Sequence, residues 1–120
     1  GNNTFVAAGY NGTIVRSTDN GANWDNGTSP TNKHIYGIVF GNDTFVGFAH
    51  SGKIVRSTDN GASFSYVTSG VTIYLLDVTF GNNTFVGGGG FGTILRSTDN
   101  GTTWDSVTSG TEEHLWGAGF

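Results

Sequence analysis

The sequence predicts an all-β protein built from three copies of one four-stranded unit. The first observation is a repeat: the hexapeptide Arg-Ser-Thr-Asp-Asn-Gly at residues 16–21 returns at 56–61 and at 96–101, forty residues apart each time. The second is composition, because 21 of the 120 residues are glycine and β-branched or aromatic runs alternate with turn residues. The third is that no stretch shows a sustained helical period of apolar residues. Short strands joined by tight turns explain all three.

The repeated hexapeptide is predicted to close a β-hairpin. In the first copy a β-branched run precedes Asn20-Gly21, and these two residues tolerate the positive φ angles of a two-residue turn. Asp19 is placed to accept hydrogen bonds from backbone N–H groups two or more residues later. We expect the aromatic that follows, Trp24, to pack against the neighbouring sheet. The three equivalent aspartates lie on separate units, which favours a structural role over a catalytic one.

Each unit supplies four predicted strands in the order B, C, D, A, and the units span residues 1–40, 41–80 and 81–120. The predicted strands are 4–8, 13–18, 22–27 and 35–40 in the first unit; 44–48, 53–58, 63–68 and 73–80 in the second; and 84–88, 93–98, 103–108 and 114–120 in the third. A forty-residue, four-stranded repeat is typical of a propeller blade, which packs against its neighbours around a central channel. Residues 1–120 are therefore predicted to form a single three-blade half-propeller.

The repeat resembles the Asp-box of the bacterial neuraminidase repeat family, S-x-D-x-G-x-x-W. The matching residues are Ser17, Asp19, Gly21 and Trp24; Ser57, Asp59, Gly61 and Phe64; and Ser97, Asp99, Gly101 and Trp104. Phe64 departs from the tryptophan of the pattern. The resemblance implies a β-propeller of the kind found in sialidases, a photosystem assembly factor and many secreted proteins, with a secreted or cell-surface bacterial parent. In that family the box marks the fold and carries no activity.

The strand order predicts that other strands complete the sheets at both ends of the chain. The last strand A needs strands B, C and D beside it, and the first unit needs a strand A. Three blades cannot close a ring, because propellers typically have about four to eight. We expect a homodimer that forms a six-bladed ring by strand exchange, with a nine-bladed homotrimer as the alternative.

Connections that differ between the units mark the surface where a function would lie. The B–C and D–A connections share one rim, and there the units disagree, whereas the turns of the opposite rim are nearly identical. The candidate ligand-binding residues on this variable rim are Tyr10, Asn11, His34, His50, Tyr74, Phe91, Glu112, Glu113 and His114. Aromatic faces among imidazole, amide and carboxylate groups suit sugar or peptide recognition.

Four residues of strand A carry separate expectations. Tyr36, Leu76 and Trp116 share one repeat position, and we expect them to pack between blades. Asp77 replaces the glycine found at the same position of the other two units. A carboxylate on an inner strand requires a partner or a wet channel.

Three functions follow as hypotheses. The first is a non-catalytic binding or scaffold module with a glycan ligand on the variable rim. The second is an engineered or recently duplicated propeller without a ligand, which the near-identity of the units favours. The third is a piece of a sialidase-like glycoside hydrolase.

The hydrolase hypothesis is the weakest, so we expect no enzyme activity. It requires an arginine cluster, but Arg16, Arg56 and Arg96 occupy one repeat position and spread around the ring. They are expected to screen the box aspartates or to stack on an anchor aromatic. Glu112 and Glu113 are adjacent and point apart in an extended chain, which disfavours paired-carboxylate chemistry.

Composition limits the kinds of partner and cofactor that the chain is expected to bind. The net charge is −4 and the five basic residues are scattered, so we expect no nucleic-acid partner. No apolar run approaches the roughly 20 residues of a membrane helix. The chain lacks cysteine, and the histidines at equivalent positions of two units would have to converge across blades to bind a metal, so we expect no cofactor. The absence of a starting methionine suggests an excised or engineered piece.

Overall fold

Three antiparallel sheets make up the computed structural model, which describes residues 2–120. Blade 1 contains β1 (Phe5–Ala8), β2 (Ile14–Ser17) and β3 (Asp25–Asn26). Blade 2 contains β4 (Ile35–Gly41), β5 (Thr44–Ala49), β6 (Ile54–Ser57) and β7 (Ser65–Val67). Blade 3 contains β8 (Leu75–Gly81), β9 (Thr84–Gly89), β10 (Ile94–Ser97) and β11 (Asp105–Val107). The predicted all-β class is confirmed.

Each four-stranded sheet takes its inner strand from the preceding sequence unit. β4 pairs with β5, with Phe40 opposite Phe45, and β8 pairs with β9 in the same register, with Phe80 opposite Phe85. Blade 1 has only three strands among the described residues. Gly1, the first residue of the first predicted unit, lies outside them.

The predictions for the last strand and for the outermost strands were wrong in extent. Residues 114–120 form no strand, because nothing in residues 2–120 lies beside them to complete a ladder. The outermost strands are shorter than predicted: β3 covers 25–26 of the predicted 22–27, since the hairpin turn and its side-chain network take up the residues before it. The other predicted strands agree with the structure within one or two residues at each end.

The hairpins of the repeated hexapeptide have the geometry expected of an Asn-Gly turn. Asn20 and Gly21 have φ angles of 66° and 85°, and the N–H of Ala22 donates to the Asp19 carbonyl at 3.3 Å. The Oδ1 atom of Asp19 accepts a hydrogen bond from the Asn23 N–H at 2.8 Å, as predicted. Ser17 connects the two sides of the turn, because its Oγ accepts from the Gly21 N–H at 3.0 Å and donates to Asp19 Oδ1 at 2.8 Å.

This network stabilises the charged form of all three box aspartates. The backbone N–H of Asn23, followed by its side chain, lowers the pKa of Asp19 to about 2. The Ser63 hydroxyl is the largest cause for Asp59, and the Thr103 hydroxyl for Asp99, and each of these pKa values is also lowered to about 2. The aspartates therefore serve the turns, and the exposed carboxylates stay ionised well below neutral pH.

The aromatic anchors pack between blades wherever a preceding blade is present. Trp104 is buried, with its ring centroid 5.2 Å from that of Phe48 in blade 2, and Phe64 is buried in the cluster between blades 1 and 2. Trp24 is half exposed, since residues 2–120 contain no blade before blade 1. The anchor role is thus confirmed for two copies and unfulfilled for the third.

A three-residue contact, here named the interblade latch, joins each blade to the next. Arg16 Nε donates to the Asn60 carbonyl at 2.8 Å, and Asn60 Nδ2 reaches Thr4 Oγ1 at 2.6 Å. In the second copy Arg56 Nε donates to the Asn100 carbonyl at 2.9 Å, and Asn100 Nδ2 donates to Thr44 Oγ1 at 2.7 Å. Arg16 and Arg56 therefore bind a turn carbonyl, and the prediction that they screen a box aspartate or stack on an anchor ring was wrong for these two.

None of the helical segments in residues 2–120 has the length and apolar character needed to cross a membrane.

Candidate functional site

The B–C connections form single 3-10 turns, which the sequence pattern did not predict. They cover residues 10–12, 50–52 and 90–92, and their central residues Asn11, Ser51 and Phe91 all have left-handed φ angles of 55° to 62°. Gly12 follows with a φ of 72°, and a Cβ there would lie 1.8 Å from the Thr31 carbonyl oxygen. Glycine at the same position of all three units, 12, 52 and 92, was the feature of the sequence that could have predicted this turn. Its close approach brings each B–C turn against the D–A connection and builds one continuous rim.

Two histidines join the B–C turns to the D–A connections of this rim by hydrogen bonds. The Nδ1 atom of His34 accepts from the Asn11 N–H at 3.0 Å, and Nδ1 of His114 accepts from the Phe91 N–H at 3.0 Å. Because Nδ1 is the acceptor, the neutral ring carries its proton on Nε2. In His114 this nitrogen lies 3.4 Å from the Tyr74 hydroxyl. The N–H of a B–C turn therefore holds each imidazole in one orientation.

Aromatic and imidazole rings follow one another along the rim across all three blades. Successive centroids are 4.5 Å apart for Tyr10 and His34, 6.4 Å for Tyr36 and His50, and 5.9 Å for His50 and Tyr74. His114 continues the series 5.5 Å from Tyr74 and 6.2 Å from Trp116. We call this set the aromatic row; its members are Tyr10, His34, Tyr36, His50, Tyr74, Phe91, His114 and Trp116.

The middle of the aromatic row encloses a cleft of about 390 Å³. Its lining consists of Tyr36, His50, Tyr74, Leu76, His114 and Trp116. A smaller pocket of about 220 Å³ lies beside Tyr10, and one of about 230 Å³ lies beside Asn11 and Lys33. The rim is thus grooved along its length, and rings form most of the central wall.

The expectation that Tyr36, Leu76 and Trp116 pack between blades holds only for Leu76, which is buried. Tyr36 is 46 % exposed and Trp116 is 72 % exposed, and both line the cleft. Tyr36 and Leu76 both stand at a β-bulge, because the register shifts between Ile35 and Gly37 in β4 and between Leu75 and Asp77 in β8. A bulged residue has no partner opposite it and its side chain is turned out of the regular alternation. The bulge therefore does not by itself decide exposure, because Leu76 stands at an equivalent bulge and is buried, whereas Tyr36 lies on the rim.

The predicted glutamates lie apart from the cleft. Glu112 and Glu113 are exposed on the last D–A connection and do not line it. The backbone N–H of Glu113 donates to Thr111 Oγ1 at 3.1 Å, which is a local turn contact. Phe91 is exposed and stands 4.9 Å from the His114 ring, at the side of the row.

Asp77 has the partner that its position requires. Its Oδ2 atom accepts from the backbone N–H of Ala118 at 2.9 Å. A Cβ at Gly37 would lie 2.8 Å from Oδ1, so the carboxylate occupies space left by a glycine of blade 2. Asp77 therefore fastens the final segment of the chain onto blade 3.

Two larger grooves, of about 620 and 440 Å³, lie along the outer strand β7. Their shared lining is residues 66–70, with Arg56 and Trp104 in one and Lys53 in the other. They hold no imidazole and no row of stacked rings, so the rim cleft is the better candidate for a specific ligand.

The sheets and their packing define a β-propeller, and solved structures agree. YCF48 bound to D1 peptide aligns with a TM-score of 0.80 and 17% identity, over 96% of this chain and 40% of that one. The computationally designed Ika8 protein aligns with a TM-score of 0.75 and 16% identity, over 100% of this chain and 38% of that one. An ancestral GH74 enzyme aligns with a TM-score of 0.71 and 20% identity, over 88% of this chain and 17% of that one. No protein-family model and no curated protein sequence matches. The chain thus spans two fifths or less of these structures, and the similarity concerns the fold.

Proposed function

We propose that this propeller is a non-catalytic module that binds a carbohydrate in the rim cleft. The observation that carries the proposal is the aromatic row, in which the exposed rings of Tyr36 and Trp116 flank a cleft that also contains His50, Tyr74 and His114. A sugar presents apolar C–H faces that stack on aromatic rings and hydroxyl groups that need donors and acceptors. The lining supplies both kinds of contact.

Preorganisation favours binding at this rim. The hydrogen bond from the Phe91 N–H fixes the His114 ring before any ligand arrives, and Tyr74 packs between the rings of His50 and His114. Side chains already held in place lose little rotamer entropy when they bind. The site can therefore gain affinity from few contacts.

The cleft lining argues for binding without hydrolysis. Glycoside hydrolysis uses a pair of carboxylates that flank the scissile bond. The described residues that line the cleft include no aspartate or glutamate. Asp77 is engaged by the Ala118 N–H, and Glu112 and Glu113 lie outside the cleft.

A peptide is the second candidate ligand. YCF48, the propeller with a TM-score of 0.80, is described as bound to a peptide. The aromatic row is also linear, which suits an extended chain that places side chains between successive rings. A propeller with no ligand, the third hypothesis, predicts no binding of either class.

A glycan array followed by calorimetry with the best glycan tests the proposal. Tyr36→Ala should weaken binding at least about tenfold through loss of a stacking face. Tyr66→Ala is the matched control, because Tyr66 is also half exposed but lies on β7, away from the rim. An array without hits would exclude the carbohydrate, and a peptide array would then separate the second candidate from the ligand-free propeller.

A further inference from the structure

Contacts between neighbouring blades occur twice within residues 2–120, and the residues that would form a third copy of each are divided between the two ends of that range. This regularity follows from the forty-residue repeat, which places chemically equivalent residues on both sides of every blade boundary. The divided contacts identify the partner that the two open faces fit. The inference does not depend on the rim ligand.

The first divided contact is a phenylalanine pair. The rings of Phe40 and Phe45 have centroids 4.7 Å apart, and those of Phe80 and Phe85 are also 4.7 Å apart. The third pair would consist of Phe120 and Phe5. Phe120 is 90 % exposed and Phe5 is 49 % exposed, whereas Phe45 and Phe85 are 4 % and 0 % exposed.

The interblade latch is divided in the same way. Its two complete copies join Arg16 to Asn60 and Arg56 to Asn100. The third copy has Arg96 and Thr84 on blade 3, and the asparagine it requires is Asn20 in the hairpin of blade 1. Arg96 and Asn20 are both exposed.

Residues 114–120 are already held where an inner strand belongs. The Leu115 N–H donates to the Gly89 carbonyl at 3.0 Å, as the Ile35 N–H does to Gly9 in the first copy. A Cβ at Gly81 would lie 2.1 Å from the Phe120 ring, and one at Gly41 lies 2.1 Å from Phe80, so both rings are seated on a glycine. Within residues 2–120 no strand lies beside this segment, and none lies on the inner side of β1.

We propose that two copies of this chain bind head to tail, each supplying residues 114–120 as the inner strand of the other's blade 1. The assembly is a closed ring of six blades. A second copy is the partner that fits, because both halves of each divided contact, in the same register, lie on one polypeptide. A head-to-tail contact either closes into a ring or polymerises, and six blades lies within the common range for rings.

The assembly also completes the binding rim. Tyr36 stands 6.4 Å from His50, and the His50 N–H donates to the His34 carbonyl at 2.9 Å. At the junction between copies, Tyr10 of the partner subunit occupies the position that His50 has beside Tyr36, and so lies beside Trp116. Its backbone N–H donates to the His114 carbonyl. Each junction therefore builds a composite cleft with residues from both copies.

Cross-linking tests the junction directly, since the chain contains no cysteine. Phe5→Cys and Phe120→Cys variants are mixed and oxidised, and the expected product is a disulfide-linked pair with one chain of each kind. The matched control is Phe40→Cys with Phe45→Cys in one chain, which occupies the same register and should close an intrachain disulfide. Efficient linkage of two Phe5→Cys chains, or no linkage between the two variants, would overturn the head-to-tail junction.

Native mass spectrometry and light scattering give the copy number. The expected mass is twice the 12.6 kDa of one chain. A single-chain mass at micromolar concentration would overturn the assembly, and a mass of three chains would replace the six-bladed ring by nine blades.

Arginine substitutions test the latch. Arg96→Ala should raise the dissociation constant of the dimer at least about tenfold, because it removes a charged donor at each junction. Arg56→Ala removes the same side chain within one copy and should change that constant by less than about twofold while lowering the melting temperature. Equal dissociation constants for the two variants would contradict a junction latch at Arg96.

Discussion

The backbone nitrogen of Phe91 and the Nδ1 atom of His114 are 3.0 Å apart, and Asn11 and His34 repeat this contact at the same distance. The contact couples a strained B–C turn to the D–A connection of the same sequence unit. Phe91 has a φ of 55°, an uncommon angle for a bulky residue. The imidazole thus holds the turn and orients one wall of the candidate cleft.

Substitution of His114 separates these two tasks. His114→Ala removes the acceptor and should lower the free energy of unfolding by about 1 kcal/mol. His114→Asn retains an acceptor oxygen near Nδ1 but loses Nε2, so it should recover most of the stability and none of the ligand affinity. Chemical denaturation and the amide shift of Phe91 measure the first effect, and calorimetry with the rim ligand measures the second. Full ligand affinity in His114→Asn would show that Nε2 does not contribute to ligand binding.

Removal of a box carboxylate should weaken its hairpin. Asp59 accepts the Ser63 N–H at 2.9 Å and the hydroxyls of Ser57 and Ser63. Asp59→Ala leaves these donors to solvent and should cost about 1–2 kcal/mol of stability. Asp25→Ala is the control, because Asp25 is an exposed strand residue outside the box network, and it should change stability by less than about 0.5 kcal/mol. Equal melting temperatures for the two variants would contradict a stabilising role for the network.

Acid should destabilise the fold through the same aspartates. Their folded pKa values are about 2, below the ordinary value of 3.8, so the unfolded chain binds protons first as pH falls. Their stabilising contribution is complete above about pH 4 and is lost progressively toward pH 2. Melting temperatures between pH 2 and 6 measure this loss. A variant with asparagine at all three positions should show a shallower decline, and an unchanged slope would assign acid sensitivity to other groups.

The glycine at the end of each B–C turn should tolerate no side chain. Gly12→Ala would place Cβ 1.8 Å from the Thr31 carbonyl and force a left-handed φ, so we expect a loss of at least about 2 kcal/mol. Gly9→Ala is the matched control, because Gly9 is extended and its Cβ would have no atom within 4 Å. Denaturant titration of both variants checks the difference. Similar losses in both would contradict the close approach of turn and D–A connection.

A tandem gene joining two copies of the chain tests whether the faces match. Its junction recreates the Phe-Gly-Asn sequence that connects β4 to β5 at residues 40–42. The tandem should remain a single chain in solution at every concentration, because both faces are covered within one polypeptide. A tandem that assembles further would indicate that six blades do not close.

The sequence by itself determined the local structure of the chain. Asn20-Gly21 specifies its turn because few other residue pairs adopt two successive left-handed angles, and Asp19 finds its donors within four residues. The repeat period also placed the candidate residues of the B–C and D–A connections on a common rim. All of these depend on interactions between residues close in the chain or on the repeat itself.

Tertiary structure decided every feature that depends on a distant partner. Arg16 binds a carbonyl 44 residues away, and nothing in its own strand distinguishes that carbonyl from the nearby aspartate. Tyr36 and Leu76 stand at equivalent bulges, yet Tyr36 is exposed and Leu76 is buried, so the burial of these side chains depends on what packs around them and not on their repeat position. Residues 114–120, apolar enough to suggest a strand, form none in this chain, because a strand exists only when another lies beside it to take its hydrogen bonds.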